Sequence, residues 1–219
     1  MGNSRKTRNR SSRGDESVSY TRPGYPSFSD ERIFIVCEGS VTEPQYFLGL
    51  RRSCDLRAYQ VQVEVDVPNP VKLVQIAQRA ARSRRGRTIE FSQVWCVVDV
   101  EGPAPTAEFH RAVAVAREHN LHLAVSNPCF EYWYLLHFRE TDQPFHNAEE
   151  VIRALRGQNC FPAYDKNCNA FEALADRTDL AIERAERLLK RHVGAEDFPN
   201  PSTTVFRLVR KIQDMSSGL

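Results

Sequence analysis

The 219-residue sequence lacks several features that would assign it to a specialised class of protein. No apolar run approaches the roughly 20 residues of a membrane-spanning helix, so we expect no membrane segment. The basic N-terminal residues precede no apolar segment, which argues against a secretory signal. None of the six cysteines forms a CxxC pair, and we expect reduced thiols in a cytoplasmic protein. No GxxxxGKS or GxxxxGKT motif occurs, so the sequence does not indicate a P-loop ATPase.

Net charge is also small, because 30 Lys and Arg residues are balanced by 28 Asp and Glu residues. The basic residues are unevenly distributed, however. Residues 1–30 are rich in Arg, Ser, Gly and Pro, which predicts a flexible basic arm. A second cluster over 79–87 includes Arg82, Arg84 and Arg85. Such clusters can neutralise phosphates even in a balanced chain, although solvated charge is their commoner meaning.

The alternation of apolar and amphipathic segments predicts an α/β fold. Four segments have the apolar patterns of strands: 33–37, 61–67, 94–98 and 121–125. Three segments between them have helical periodicity: 44–52, 70–84 and 106–119. Thr42 is the expected N-cap of the first helix. This order indicates a largely parallel sheet with helices on both faces, and we assign it to an α/β core over 31–138.

The pattern becomes helical after residue 125. Four further segments, punctuated by Gly and Pro, are predicted helices: 130–138, 148–155, 171–192 and 203–215. We therefore expect residues 139–219 to form a helical C-terminal extension that packs on the core. A chain of this length is typical of one domain of ordinary size, or of one domain with a small helical appendage.

Two of the predicted buried strands end directly in acidic residues. Glu38 follows the first strand, and Asp99 and Glu101 follow the third. Ligands of open parallel sheets bind beyond the carboxyl ends of the strands, where neighbouring ends lie side by side. Carboxylate oxygens suit Mg²⁺ or Mn²⁺. The spacing therefore predicts a divalent-metal site, and it is equally compatible with ordinary turn-forming acids, Asp99 capping a helix.

Three further residues are candidates for the same site. Glu43 either holds metal or satisfies free amides at the start of a helix, and we favour the second role. Glu131 begins an aromatic helix just after the fourth strand and is a candidate ligand or substrate contact. Lys166 is a candidate phosphate contact, although a lone loop lysine is usually just exposed. His137, in the aromatic helix, is predicted to be a hydrogen-bonded core histidine.

Several blocks of residues together resemble the RloB-like family. The blocks run in this order: 35–39 (IVCEG), 42–44 (TEP), 46–47 (YF), 98–101 (VDVE), 126–131 (SNPCFE), 133, 135–138, 164–167 (YDKN) and 200–205 (NPSTTV). The resemblance implies a Toprim-like fold and a metal-dependent nuclease that cleaves RNA or DNA. Carried over, Glu38 transfers a proton or binds metal, and Asp99 with Glu101 holds Mg²⁺ or Mn²⁺. The chain departs from the pattern at Glu101, where Asp is usual.

The resemblance also implies an anti-phage defence setting, beside an ATPase of the ABC or SMC-like type. Arg82, Arg84, Arg85 and the basic arm would then contact backbone phosphates. One alternative is a catalytically inactive Toprim-like binding or regulatory subunit. A polymerising or topology-changing enzyme is disfavoured, because there is no zinc-ribbon module and no room for a religation domain. The choice between RNA and DNA, and homo-oligomer formation, stay open.

Overall fold

A computed structural model describes residues 31–67, 69–82, 90–102, 104–192 and 197–217. The strands of this part of the chain are β1 (Ile33–Cys37), β2 (Val61–Glu64), β3 (Gln93–Asp99), β4 (His122–Asn127) and β5 (Ser202–Thr203). Its helices are α1 (Thr42–Ser53), α2 (Pro70–Arg82), α3 (Ala107–Glu118), α4 (Glu131–Phe138), α5 (Ala148–Leu155), α6 (Phe171–Leu174), α7 (Thr178–Arg191) and α8 (Val205–Ser217). None of the helices described is long and apolar enough to cross a membrane.

The strands form one sheet in the order β2-β1-β3-β4-β5. The first four strands are mutually parallel, and β5 pairs antiparallel with β4. Elements from α4 onward are mainly helical. The predicted α/β fold, with a largely parallel sheet and a helical C-terminal region, is confirmed.

Both faces of the sheet are covered, which explains why the central strands β1 and β3 are almost continuously apolar. Along β3, Trp95 and Val97 pack into a layer that includes residues of α1 and of α4 to α8. The alternate residues Cys96 and Val98 pack into a second layer with α2 and α3. Successive side chains of a strand point to opposite faces, so a strand buried on both faces needs apolar residues at every position.

Most predicted elements differ from the structure by one or two residues at their ends, and two differ by more. The strand expected over 61–67 ends at Glu64, and segment 171–192 is divided into α6, a 3-10 turn and α7. The prediction of Thr42 as the N-cap is wrong, because α1 already begins there and the preceding Val41 makes no side-chain capping bond. The Glu43 carboxylate instead reaches back to the N–H of Gly39.

The C-terminal region contributes a short strand that the sequence pattern did not predict. Beside β5, the N–H of Thr204 donates to the Val125 carbonyl at 2.8 Å. The Val125 N–H in turn donates to Oγ1 of Thr204 at 2.9 Å. These bonds attach the start of α8 to the buried half of β4. The predicted basic arm over 1–30 lies outside the described residues, and the division at residue 138 stays a prediction.

Candidate functional site

A cavity of about 440 Å³ lies at the carboxyl edge of the sheet, beyond the ends of β1, β3 and β4. Among the described residues, five carboxylates line it: Glu38, Glu43, Asp99, Glu101 and Glu131. An adjoining cavity of about 350 Å³ shares three of them, Glu38, Asp99 and Glu101. The structure therefore brings all five acidic candidates from the sequence to one place, because parallel strands present their carboxyl ends at the same edge.

Glu38 and Asp99 each contain a buried oxygen without a hydrogen-bond partner among the described residues. These atoms are Oε2 of Glu38 and Oδ1 of Asp99. Burial, and then the charge of Glu101, raises the pKa of Glu38 to about 7. Burial, followed by the charges of Glu43 and Glu131, raises the pKa of Asp99 well above its usual range. Unpaired buried carboxylate oxygens are costly, so these atoms indicate a site for a proton or a cation.

Asp99 is not the N-cap of the helix that follows it in the chain, because Thr106 caps α3, but one of its oxygens is bonded just before α4. This oxygen, Oδ2, accepts the N–H of Phe130 at 3.0 Å, and Phe130 immediately precedes α4. One oxygen of Asp99 therefore holds the turn before α4, and the other lies buried and unpaired. The bond from Phe130 holds the carboxylate in one orientation at the end of β3.

Glu43 occupies the first turn of α1 and closes the loop between β1 and the helix. Its Oε1 accepts the N–H of Gly39 at 3.2 Å, which bears out the helix-end role. The carboxylate lies so close to Gly39 that a Cβ atom there would collide with it. Burial, and further the charge of Glu131, raises the pKa of Glu43. Gly39 thus permits a close approach that keeps Glu43 in the cavity wall.

Glu101 is the least confined of the five acidic residues. Its side chain is exposed, and its backbone has a φ of 60°, which is uncommon for a residue other than glycine. The Glu101 N–H donates to the carbonyl of Pro128 at 2.9 Å, which holds this turn against the end of β4. The carboxylate consequently contributes charge to the cavity without being fixed by packing.

Glu131 begins α4 and is joined to the C-terminal region by two side chains. The Tyr164 hydroxyl donates to Oε1 of Glu131 at 3.1 Å, and Nζ of Lys166 lies 3.7 Å from the same oxygen. Sequence reasoning identified Lys166 but missed Tyr164. The available signal was the position of Tyr164 two residues before Lys166, in the same short block.

Comparison with protein families matches residues 33–212 to the family described as RloB-like protein. The matched range begins with β1 and extends into α8, so it contains the whole cavity. The chain belongs to the RloB-like family. No curated protein and no solved structure gives a significant match.

In this RloB-like protein, the described part of the arginine cluster lies at the other edge of the sheet. Arg82 is exposed at the end of α2, and it lines a separate cavity with Gln93 and His122. These two residues begin β3 and β4, whereas the carboxylates follow the strand ends. The seven residues of β3 span about 20 Å, so Arg82 and the carboxylates cannot contact one phosphate group. Arg84 and Arg85 lie outside the described residues.

The histidine of α4 belongs to the core of the RloB-like fold. His137 is fully buried, and its Nδ1 lies 2.9 Å from the Trp133 carbonyl. Burial lowers the pKa of His137 to about 3, so the ring is neutral near pH 7. The prediction of a hydrogen-bonded core histidine is confirmed.

The five carboxylates do not form a ready-made set of ligands for a divalent cation. Within the described ranges, no three His, Cys, Asp or Glu side chains surround one point closely enough to hold a metal ion as they stand. Glu38, Asp99 and Glu101 were expected to converge within reach of one metal ion. They line the same cavity, but their carboxylates do not surround one point. The chemistry of the donor set fits Mg²⁺ or Mn²⁺, because hard carboxylate oxygens line the cavity and two of them lack partners.

Proposed function

We propose that this RloB-like protein is a Toprim-type, metal-dependent nuclease that cleaves RNA or DNA phosphodiesters. The observation that carries the proposal is the pair of unpaired buried oxygens on Glu38 and Asp99 in a cavity lined by five carboxylates. Bound Mg²⁺ or Mn²⁺ would compensate the negative charge that develops during cleavage and would lower the pKa of an attacking water. Metal-dependent phosphodiester hydrolysis uses both contributions, and a carboxylate cluster at strand ends suits such ions.

The carboxylates have different roles in this proposal. Asp99 and Glu101 hold the metal, with Glu43 and Glu131 as further ligands or as groups that position the others. Glu38 acts as a general base or as a ligand. A pKa of about 7 suits proton transfer near neutral pH, because the group can both accept and release a proton there. Its unpaired Oε2 is the atom that would take the proton.

The basic residues would bind the substrate at increasing distances from the cleaved bond. Lys166 lines the carboxylate cavity and would contact a phosphate close to it. Arg82, Arg84, Arg85 and residues 1–30 would contact phosphates farther along the strand. An ATPase partner and an anti-phage setting are part of the proposal on the family resemblance, and RNA, including tRNA, is the first substrate to test.

A specific observation also favours a second function, that of a catalytically inactive binding or regulatory subunit. Glu101 replaces the usual Asp of the family pattern, its side chain is exposed, and its backbone is left-handed. No three ligating side chains converge within the described residues. A subunit of this kind would bind nucleic acid or the ATPase without cleaving a phosphodiester.

Cleavage assays distinguish the two functions. The purified protein is incubated with RNA and with DNA in Mg²⁺ or Mn²⁺, alone and with any ATPase that co-purifies. We expect Glu38→Gln and Asp99→Asn to reduce cleavage by about 10²-fold or more, and Glu64→Gln, at an exposed site on β2, to have no effect. Wild-type protein that cleaves no better than Asp99→Asn in every combination would contradict the nuclease function, and retained nucleic-acid binding would then support the regulatory one.

A further inference from the structure

One lysine is placed among the carboxylates by the loop over 164–167. Nζ of Lys166 lies 3.7 Å from Oε1 of Glu131, and the side chain of Glu131 is only 4% exposed whereas that of Lys166 is 59% exposed. Among the described residues that line the cavity, Lys166 is the one cation and is set against five carboxylates. A buried carboxylate needs such a partner, because an uncompensated buried charge is costly.

The two residues that contact Glu131 from this loop are held very differently. Tyr164 is buried, and its ring packs edge-on against Tyr134 at 5.9 Å between ring centroids. Its hydroxyl donates directly to the Glu131 carboxylate. Lys166 is mostly exposed, and its 3.7 Å contact is longer than a hydrogen bond. Tyr164 is therefore a fixed partner of Glu131, and Lys166 is a partner that can leave with little loss of packing.

We propose that Lys166 is an internal counter-cation of Glu131 that a divalent metal ion displaces. The proposal rests on the proposed function, since it requires a cation to bind the carboxylate cluster. A divalent ion brings twice the charge of the ammonium group and repels it at short range. Lys166 then moves away while Tyr164 keeps Glu131 in position, and the freed ammonium group lies at the rim of the cavity, beside any bound phosphate.

If Lys166 has this role, the affinity for divalent metal ions must rise when its charge is removed. Removing the charge of Lys166 removes both a competitor for Glu131 and a source of repulsion, so divalent ions bind more tightly. A lysine that is merely exposed on its loop would leave metal affinity unchanged. A lysine that contacts only substrate phosphate would change nucleic-acid binding and not metal binding.

The test measures Mn²⁺ binding to the full-length protein by calorimetry, without nucleic acid. Lys166→Met keeps a side chain of similar length and removes the charge, whereas Lys166→Arg keeps the charge. Lys190→Met, at an exposed position of α7 outside the cavity, is the matched control. We expect Lys166→Met to bind Mn²⁺ about five-fold more tightly than wild type, and the other two variants to match wild type. Equal or weaker binding by Lys166→Met would overturn the proposal.

Thermal unfolding in EDTA provides a readout that needs no metal. Lys166→Met should lower Tm by about 2 °C, and adding Glu131→Gln should abolish that loss, because the buried charge is then gone. A loss that persists in the double variant contradicts the counter-cation role. Wild-type protein that binds no Mn²⁺ contradicts the metal site of the proposed function and the displacement of Lys166 with it, whereas the EDTA result still decides whether Lys166 is the counter-cation of Glu131. Mn²⁺ binding without cleavage contradicts the nuclease function alone.

Discussion

The stability of the folded protein depends on pH through the protonation of Glu38. Burial and the charge of Glu101 raise the pKa of Glu38 to about 7, whereas a glutamate in an unfolded chain has a pKa of about 4.3. The folded protein holds this proton more tightly, so the contribution of Glu38 to stability falls as pH rises between these two values. We therefore expect Glu38→Gln to raise Tm above the wild-type value, by a margin that widens as pH rises.

Thermal unfolding in EDTA from about pH 5 to about pH 8 measures this margin. Glu38 is partly exposed, and solvent screens its charge, so we expect a gain of about 1 kcal/mol, or about 3 °C, at the upper end of the range. Glu64→Gln, at an exposed residue, should follow the wild-type curve. A Glu38→Gln curve parallel to wild type would show that the fold does not raise this pKa.

Single residues of the site differ in how far the sequence predicts them. Glu38 and Asp99 were predictable because each follows an apolar strand directly, where a carboxylate has little reason to be for stability. Tyr164 was not, because its role depends on a hydroxyl contact with Glu131, 33 residues earlier in the chain. Helical periodicity and strand alternation carry no signal for a contact of that range.

At the scale of elements, the connection from β1 to α1 fixes the geometry of one cavity wall. Gly39 leaves room for the Glu43 carboxylate and donates its N–H to it, so a methyl group at Gly39 would push the carboxylate away. We expect Gly39→Ala to weaken Mn²⁺ binding and cleavage by about ten-fold, because small displacements of catalytic groups are costly. Calorimetry and a cleavage assay measure the two effects.

Gly102→Ala is the matched control for this substitution. Gly102 lies beside the same site, but a Cβ atom there would meet its nearest neighbour, the Ala104 carbonyl, only at 4.0 Å. We expect Gly102→Ala to bind Mn²⁺ as wild type does. Similar losses in both variants would indicate a general sensitivity of the site to glycine replacement, and would contradict the specific role of Gly39 in holding Glu43.

Strands and helices were predictable where their buried residues recur with the spacing typical of that element. β1 coincides with its predicted bounds because its apolar run ends sharply on both sides. α5 coincides with its predicted bounds because Asn147 caps its start and Gly157 follows shortly after its end. β5 was missed because it is two residues long and depends on bonds between Thr204 and Val125, far apart in the chain. The division of segment 171–192 was missed because the apolar pattern runs through the 3-10 turn.

Across the whole molecule, a near-neutral net charge conceals a separation of charges. The balance of 30 basic and 28 acidic residues includes five carboxylates around one cavity at the carboxyl edge of the sheet. Arg82 lies at the opposite edge. Local field and not net charge governs the approach of a polyanion. A nucleic acid that reaches both edges must therefore be longer than the segment at the carboxylate site.

Substrate length tests this separation. Arg82→Gln should leave cleavage of an RNA of about four nucleotides unchanged, because Arg82 lies too far from the carboxylates to act on it. The same variant should bind a longer RNA more weakly. The slope of log K against log salt concentration should fall by about one, because one phosphate contact is lost. Glu38→Gln should show the converse, with lost cleavage at both lengths and retained binding. Slower cleavage of the short RNA by Arg82→Gln would place Arg82 at the reacting phosphate and contradict this arrangement of charges.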